Sequence, residues 1–467
     1  MSVRNLDALF KPHSVALIGA TNREGAVGRV VADNLFASGF SGPIMPVNPK
    51  HRAVRGVLSY ESVTALPIAP DLAIITTPPA TVPELIRTLG EKGTRAAVVI
   101  SAGVTDSVTT EDGVGLRQAM LDAARPHLLR VLGPNCIGMI VPGLGLNASF
   151  AHVTPQAGDL AFLSQSGAMV TALLDQAAAR GIGFSHVVSL GDKADVDFGD
   201  LLDYMAADPN TKAVILYVEA VRNARKFMSA ARACSRLKPV IVIKSGRHAE
   251  GAKAAASHTG AMAGSDAVYH AAFRRAGMLR VYSIEELFDA AQTLATIPKT
   301  PGNRLAIVTN GGGLGVLATD TLVDDGGVLA TLSDETVAAL DACLPPTWSR
   351  ANPVDIIGDA PGARYSASVE AVLHDDGVDA LLVMNCPTAI ASSEEAARAV
   401  VTSLSARRHR SGTGFGSDPV HGKAVFTTWM GEAAADEARK AFSDAQIPTY
   451  PTPEQAVRAF MHLVRHA

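Results

Sequence analysis

The sequence predicts an α/β protein made of parallel sheets with helices on both faces, in three consecutive units. Three observations carry that prediction. First, one grammar occurs three times: an apolar, β-branched run ends in small residues and a helical pattern follows. The copies are SVALIGATNREGAVGRVVADNLFASG from Ser14, DLAFLSQSGAMVTALLDQAAARG from Asp159 and RLAIVTNGGGLGVLATDTLVDDGG from Arg304. Second, each copy opens a region in which apolar strand runs alternate with amphipathic helices, the pattern of buried parallel sheets. Third, a chain of 467 residues with 48% hydrophobic and 18% charged residues has enough apolar side chain to fill large cores, at about 150 residues per domain.

The strands follow in order. In the first region GPIMPVNP, LAIITTPP, AAVVISAG and RVLGPNCIG come after the opening run. The second adds FSHVVSLG, AVILYVEA and PVIVIKSG, and the third ALLVMNC and KAVFTTW. Proline-rich or polar stretches at Pro142 to Pro155 and Pro298 to Gly302 suggest domains over 1–145, 146–298 and 299–467. The stretch ARRHRSGTGFGSDPVHGK, from Ala406, has the glycine and polar content of a connection.

Composition excludes several classes. The 41 basic and 45 acidic residues give a net charge of -4, and no basic block of the kind that binds nucleic acid or membranes occurs. No run of about 18 apolar residues predicts a membrane span, and MSVRNLDALFKPHS lacks the apolar core of a signal peptide. Cys136, Cys234, Cys343 and Cys386 show no CxxC spacing. Reduced thiols in a cytoplasmic protein are expected, not a disulfide framework or a metal site.

The unit starts are where chemistry is expected. A strand running into a tight glycine turn and a helix aims free backbone N–H groups at one spot, and the helix dipole adds partial positive charge there. A doubly wound domain also needs small residues at this turn for packing alone, but three such loops, one of them GGG, favour phosphate binding. Gly19, Ala20 and Thr21, with Gly25 and Gly28, form a nucleotide-type first turn with wider spacing than GxGxxG. The dinucleotide fingerprint expects an acidic residue ending the second strand. Here that strand ends Val47-Asn48-Pro49-Lys50, which disfavours NAD and suits a ligand with extra phosphate, unless Lys50 is merely solvated. Ser164, Ser166 and Gly167 offer hydroxyls and a glycine at a helix start, more than a plain N-cap needs. Asn310, Gly311, Gly312 and Gly313 spend backbone entropy that close approach of a ligand would explain.

Glu219 ends an apolar strand, where parallel sheets bind ligands; it could instead pair with Arg222 or Arg225. His258 stands in AASHTGAMAGSD among small and hydroxyl residues. It is either an ordinary histidine or one whose bare loop leaves room for a phosphate. A carboxylate facing it would hold one ring N–H and free the other nitrogen as a nucleophile. His186 and His270 lack a glycine-rich setting and read as structural or exposed. Asn352-Pro353-Val354-Asp355 reads as a capped turn.

Together Ser257-His258-Thr259-Gly260, the SQSG loop, the NGGG loop and the GAT…PVNPK start resemble the NDP-forming (ADP-forming) acyl-CoA synthetases, relatives of succinyl-CoA synthetase. The resemblance covers the whole chain in the order of that family's alpha subunit. It implies a Rossmann-like CoA-binding domain followed by two flavodoxin-like ligase domains. It implies the reversible reaction of acyl-CoA, ADP and phosphate to acid, CoA and ATP, through an acyl phosphate and a phosphohistidine. By resemblance His258 is that histidine and Glu219 orients it. Ser164, Ser166 and Gly167 match one phosphate-cradling helix start and Asn310 to Gly313 the second. Gly19, Ala20, Thr21, Asn48 and Lys50 fall in the CoA region.

Nothing in the sequence resembles an ATP-grasp module, and no GxxxxGK[ST] is present. The closing stretch PTYPTPEQAVRAFMHLVRHA reads as a terminal strand and helix. The ADP or ATP site, with its Mg, is therefore expected on a partner ATP-grasp beta subunit or a fused domain, in a hetero- or homo-oligomer, with a small acyl-CoA as substrate. The alternative of a different class is a CoA-binding regulatory module without turnover, as in fused protein acetyltransferases.

Overall fold

A computed structural model describes residues 3–251, 253, 265–297, 302–411 and 423–466. The chain divides into two units, Met1–Ile284 and Glu285–Ala467. Among the described residues the first unit holds two main sheets and the second unit one.

The first sheet is parallel and runs β2-β1-β5-β6-β7, from β1 (Val15–Ile18), β2 (Ile44–Val47), β5 (Leu72–Ile75), β6 (Ala96–Val99) and β7 (Arg130–Leu132). A two-stranded hairpin, β3 (Ala53–Val54) with β4 (Val57–Leu58), stands apart from it. These strands read as unbroken apolar runs because both faces are covered. Val15, Leu17, Leu72 and Ile74 belong to one apolar cluster, whereas Ala16, Ile18, Ala73 and Ile75 belong to another. The two-residue period of a strand assigns alternate side chains to opposite faces.

The second sheet runs β14-β13-β12-β10-β11-β8-β9. Its parallel part is β10 (Ala157–Ser164), β11 (Phe184–Ser189), β12 (Ala213–Val218), β13 (Val240–Lys244) and β14 (Leu279–Val281). The other two strands, β8 (Gly138–Val141) and β9 (Leu146–Ser149), form a hairpin that pairs antiparallel with β11. This antiparallel hairpin is added to the edge of the parallel sheet that the sequence predicts. The hairpin straddles residue 145, the suggested first boundary, because Met139 and Val141 on one arm and Leu146 and Ala148 on the other fill one core. That core also takes Leu17 and Leu132 of the first sheet and Leu163 and Val188 of the second. Phe162, in the second half of β10, is fully buried; truncating such a residue to alanine costs about 3–5 kcal/mol.

Polar links add to this apolar continuity. Arg130, at the start of β7, pairs with Asp195 at 2.9 Å and Asp200 at 3.2 Å, and Lys226 bonds both Asp197 and Asp200. Asp192, Ala194 and Val196 donate backbone N–H groups to Pro134, Gly133 and Val131 at 2.9, 2.9 and 3.1 Å. The loop after β11 is thus laced to the end of β7. His186 is buried against Phe10 and Tyr204, and burial pushes its pKa down to about 4.

In the second unit the sheet runs β16-β15-β18-β19-β20, with β17 pairing β15. Its strands are β15 (Arg304–Thr309), β16 (Val328–Leu329), β17 (Val354–Asp355), β18 (Ala380–Asn385), β19 (Ala424–Trp429) and β20 (Thr449–Tyr450). The ring of Trp429 lies 4.6 Å from Phe442 and 6.0 Å from Tyr365 in its core. The helix Ile284–Thr296 crosses the division between the units at its first residue, whereas sequence suggests a boundary at 298. Its Thr293 hydroxyl shares a hydrogen bond with Tyr450, which ties it to β20. Asn352 is a structural residue: its side chain bonds Ile307 N, Leu305 O and Ala330 O at 2.9–3.0 Å, a splice between strands. Helix Ser393–Ser411 runs into the stretch expected as a connection from Ala406, and 412–422 lie outside the described residues. Among the described residues, no helix is long and apolar enough to cross a membrane.

Candidate functional site

In each main sheet the chain reverses its direction of growth beside the first long strand. β1 lies between β2 and β5, β10 between β11 and β12, and β15 between β16 and β18. At such a switch point the flanking connections leave to opposite faces, and a crevice opens beyond the strand ends. The three glycine loops of the sequence sit at these three points.

At the first, Gly19 N donates to Val47 O at 3.0 Å. Asn48 staples the neighbouring loops: its Nδ2 donates to Ala20 O at 2.7 Å and its Oδ1 accepts from Lys50 N at 2.8 Å. Thr21 Oγ1 lies 3.2 Å from His51 Nε2, and the Lys50 side chain is exposed. The helix Val27–Ala37 follows, and Ala26 at its N-cap gives no side-chain acceptor. Its first-turn N–H groups are therefore not capped from that position. Gly28 is fixed by packing, since a Cβ there would meet Gly19 O at 2.1 Å.

At the second, Ser164 is buried; its Oγ donates to Ser166 O at 2.7 Å and accepts from Ser166 N at 3.2 Å, which shapes the turn. Ser166 caps the helix Gly167–Ala179 through a long contact of 3.4 Å from Met169 N. Gln165 was not singled out in the sequence, yet it joins two loops. Its Oε1 accepts from Glu219 N at 3.1 Å and Ala220 N at 3.0 Å. Glu219 is buried at the carboxyl end of β12, as its place in AVILYVEA suggests. Tyr269 Oη accepts from Val221 N at 3.1 Å and fixes the segment beyond it.

A cavity of about 750 Å³ lies beyond these strand ends, within the first unit. Ser166, Gly167 and Glu219 line it, together with Thr76, Ser101 and Asn135 from the ends of β5, β6 and β7. The loop after β10 and the first sheet therefore share one space. Gly19, Ala20, Thr21, Asn48 and Lys50 gather around the β1 and β2 ends and do not line this cavity. Thr76, Ser101, Asn135 and Lys193 line it without having been named from sequence; each follows a strand, and the strand-end rule applied to every strand would have found them.

At the third point, described within its own unit, Asn310 is committed to the fold. Its Nδ2 donates to Cys386 O at 2.9 Å and its Oδ1 accepts from Cys386 N at 2.7 Å. The clasp holds the loops after β15 and β18 together. Gly311 is the N-cap of the helix Gly312–Asp324 and gives no side-chain cap. A Cβ on Gly312 would meet Asp355 Oδ2 at 2.9 Å, but a Cβ on Gly313 would meet nothing within 4 Å. Packing explains the first of these glycines and not the second.

His258 lies outside the described residues. Among the described residues, no three His, Cys, Asp or Glu side chains gather to hold a metal ion.

Residues 13–142 match a CoA binding domain, 157–294 a succinyl-CoA ligase like flavodoxin domain and 305–462 a ligase-CoA domain. The chain is 38% identical over 465 residues to the ADP-forming acetate–CoA ligase I subunit alpha of Pyrococcus furiosus, covering 99% of this chain and 97% of that one. It is 41% identical over 462 residues to the ADP-forming acetate–CoA ligase I of Archaeoglobus fulgidus, of whose length it spans 64%. A solved dinucleotide forming acetyl-coenzyme A synthetase 1 of Ca. Korarchaeum cryptofilum, in complex with phosphate and ADP, superposes with a TM-score of 0.89 at 36% identity, over 99% of this chain and 96% of that one.

Proposed function

We propose, from the premise that this chain belongs to the family of ADP-forming acyl-CoA ligases, that it is the alpha component of such a ligase with a small acyl-CoA as substrate. Acetyl-CoA is the first to test, because acetate is the acid in the names of the Pyrococcus and Archaeoglobus relatives. A phosphate oxygen bonds to the thioester carbonyl carbon, the C–S bond breaks, and CoA leaves as a thiolate that takes up a proton. A ring nitrogen of His258 takes the phosphoryl group from the resulting acyl phosphate, and the carboxylate departs. Transfer from His258 to ADP restores the imidazole and yields ATP.

The chain's residues divide this work. The turn at Gly19, Ala20 and Thr21, with Asn48 holding its shape and Lys50 exposed at its rim, is the reading for CoA. Glu219 positions His258. Ser164 and Ser166 shape the turn at Gly167, whose helix start meets the phosphoryl charge; preorganised N–H donors are most effective where charge develops. Asn310 positions the second cradle, Gly311, Gly312 and Gly313. ADP, ATP and Mg belong to an ATP-grasp module on a beta subunit or a fused domain. The Pyrococcus relative is named as a subunit and the Archaeoglobus relative is longer than this chain.

The observation that carries the proposal is the shared cavity, which joins the ends of β5, β6 and β7 to Gly167 and Glu219. A thioester entering from the first sheet would reach the phosphate loop inside one enclosure. The test is incubation of the chain with acetyl-CoA and labelled phosphate. Acid-labile, base-stable label that is absent in His258→Asn, with CoA affinity kept within about three-fold, is the expected result. CoA binding without label across a panel of acyl-CoAs, with the beta partner present, would leave a regulatory module instead. Lys50→Ala is expected to weaken CoA more than dephospho-CoA, and equal effects would remove its contact with the 3′-phosphate.

A further inference from the structure

Lys193 stands out among the buried cations of the molecule. Three described lysines are almost wholly buried: Lys193, Lys244 and Lys423. Lys423 donates to the carbonyls of Leu373 and Asp375 at 2.7 and 2.6 Å. Lys244 donates to Ser245 O and lies 4.7 Å from the centre of the Tyr269 ring. Lys193 is only 6% exposed, yet among the described residues its ammonium has no hydrogen-bond or ion-pair partner. It lies 5.9 Å from the centre of the Phe198 ring. An ammonium so little exposed, with no carboxylate or carbonyl bonded to it, is a weak structural element, because its lost hydration is only partly offset.

The group is held in place firmly. Lys193 adopts a left-handed backbone conformation, φ 50°, sparsely populated for a non-glycine residue. The residues on either side are tied to Pro134 and Gly133 by 2.9 Å backbone bonds, and Asp195 is paired with Arg130. The lysine therefore stands on a braced loop, and it lines the cavity that Gly167, Glu219 and Arg222 also line. Arg222 adds a second cation to this wall, and Glu219 and Asp192 place two carboxylates on it.

Building on the phosphate chemistry proposed above, we propose that Lys193 is a substrate-contacting residue. Its ammonium binds an oxygen of inorganic phosphate and, after attack on the thioester, the phosphoryl group of the acyl phosphate. A dianion supplies the partner that the fold withholds, and a preformed cation needs no reorganisation to receive it. The charged groups that face Lys193 are Arg222, Glu219, Asp192 and Asp197, and burial lowers its pKa to about 8. The cation is thus present at neutral pH and lost as pH rises through about 8.

The experiment uses the full chain, with inorganic phosphate as the probe, titrated by phosphorus NMR, and CoA titrated in parallel by calorimetry. Lys193→Met is expected to weaken phosphate about 30-fold and CoA by less than about three-fold, and Lys193→Arg to restore phosphate to within about five-fold. Wild-type phosphate affinity is expected to fall above pH 8, an alkaline limb absent in Lys193→Met and shifted upward in Lys193→Arg. Unchanged phosphate affinity in Lys193→Met overturns the proposal. So does equal loss of both ligands, or a lowered melting temperature in the Met and Arg variants alike, each of which makes the lysine structural. Phosphate binding through Lys193 without label on His258 would reject the phosphohistidine reading alone. Normal phosphate affinity and labelling in Lys193→Met would reject the lysine alone.

Discussion

Gly313→Ala separates the needs of the fold from those of a ligand, because the two predict changes of opposite sign. Gly313 is the second residue of the helix Gly312–Asp324, is exposed, and has open space where a methyl group would stand. Alanine in a helix interior is favoured over glycine by about 1 kcal/mol, and about half of that is a reasonable share in a first turn. For a unit of this size that gain raises the melting temperature by roughly 1–2 °C. The Cα–Cβ bonds of a helix tilt toward its N-terminus. The new methyl therefore enters the space above the first turn, where the proposed phosphoryl group would approach the N–H donors. Displacing it from one donor lowers turnover by about 10-fold or more, given that losing an oxyanion donor altogether costs about 100- to 1,000-fold. Calorimetry of the variant, with the acetyl-CoA-, ADP- and phosphate-dependent rate proposed above measured in the presence of a candidate ATP-grasp beta chain, reads both effects. A raised melting temperature with an unchanged rate would refute the close-approach argument. Gly312→Ala is the comparison: its methyl would stand 2.9 Å from Asp355 Oδ2, so that carboxylate must shift and the gain in melting temperature is expected to be smaller than for Gly313→Ala.

Asp200→Asn removes the buried carboxylate that bridges Arg130 and Lys226, each of which keeps one other carboxylate, Asp195 or Asp197, and a loss of about 2 kcal/mol in urea unfolding is expected; a loss below about 0.5 kcal/mol would mean that water reaches the cluster. Burial pushes the Cys136 and Cys234 thiols up to about 12, so both are expected to resist iodoacetamide at pH 8 until the chain is unfolded. Peptide mapping that finds either labelled at its unfolded rate would contradict this. The Arg304 side chain hydrogen-bonds Asp379 and holds its carboxyl below the ordinary 3.8. A depressed carboxylate stabilises the fold above the unfolded value and ceases to do so as pH falls through the folded one. The stability difference between wild type and Asp379→Asn is therefore expected to be constant from pH 7 to about 4 and to shrink below it, and a difference that persists undiminished at pH 3 would disprove the linkage.

Much of this architecture was legible because buried parallel strands leave a simple trace. Runs such as AVILYVEA and AAVVISAG carry no polar alternation, and the strands they suggest are β12 and β6. The switch-point loops were legible for the same reason, since small residues must follow those strands. What sequence hid was pairing between elements. β8 and β9 are short, and nothing local says that they turn away from the first sheet to join the second. Asn48 and Asn310 look like ligand-binding amides in the sequence, yet both close hydrogen-bonded clasps whose partners are distant in the chain or belong to the backbone. Gln165 and Lys193 were missed because their meaning depends on which loops lie opposite them.

The hairpin at Gly138–Ser149 also decides how the molecule could be recombined. A chimera joined at residue 145, taking its first sheet from one relative and its second from another, would draw Gly138–Val141 and Leu146–Ser149 from different parents. Two strands that register residue for residue, Gly138 against Ser149 and Val141 against Leu146, would then have to match by chance. A joint before Gly138 keeps that pairing, and the pairing of β8 with β11, intact. The practical seam of the chain is therefore displaced from its proline-rich stretch, and a workable exchange treats the hairpin as part of the second sheet.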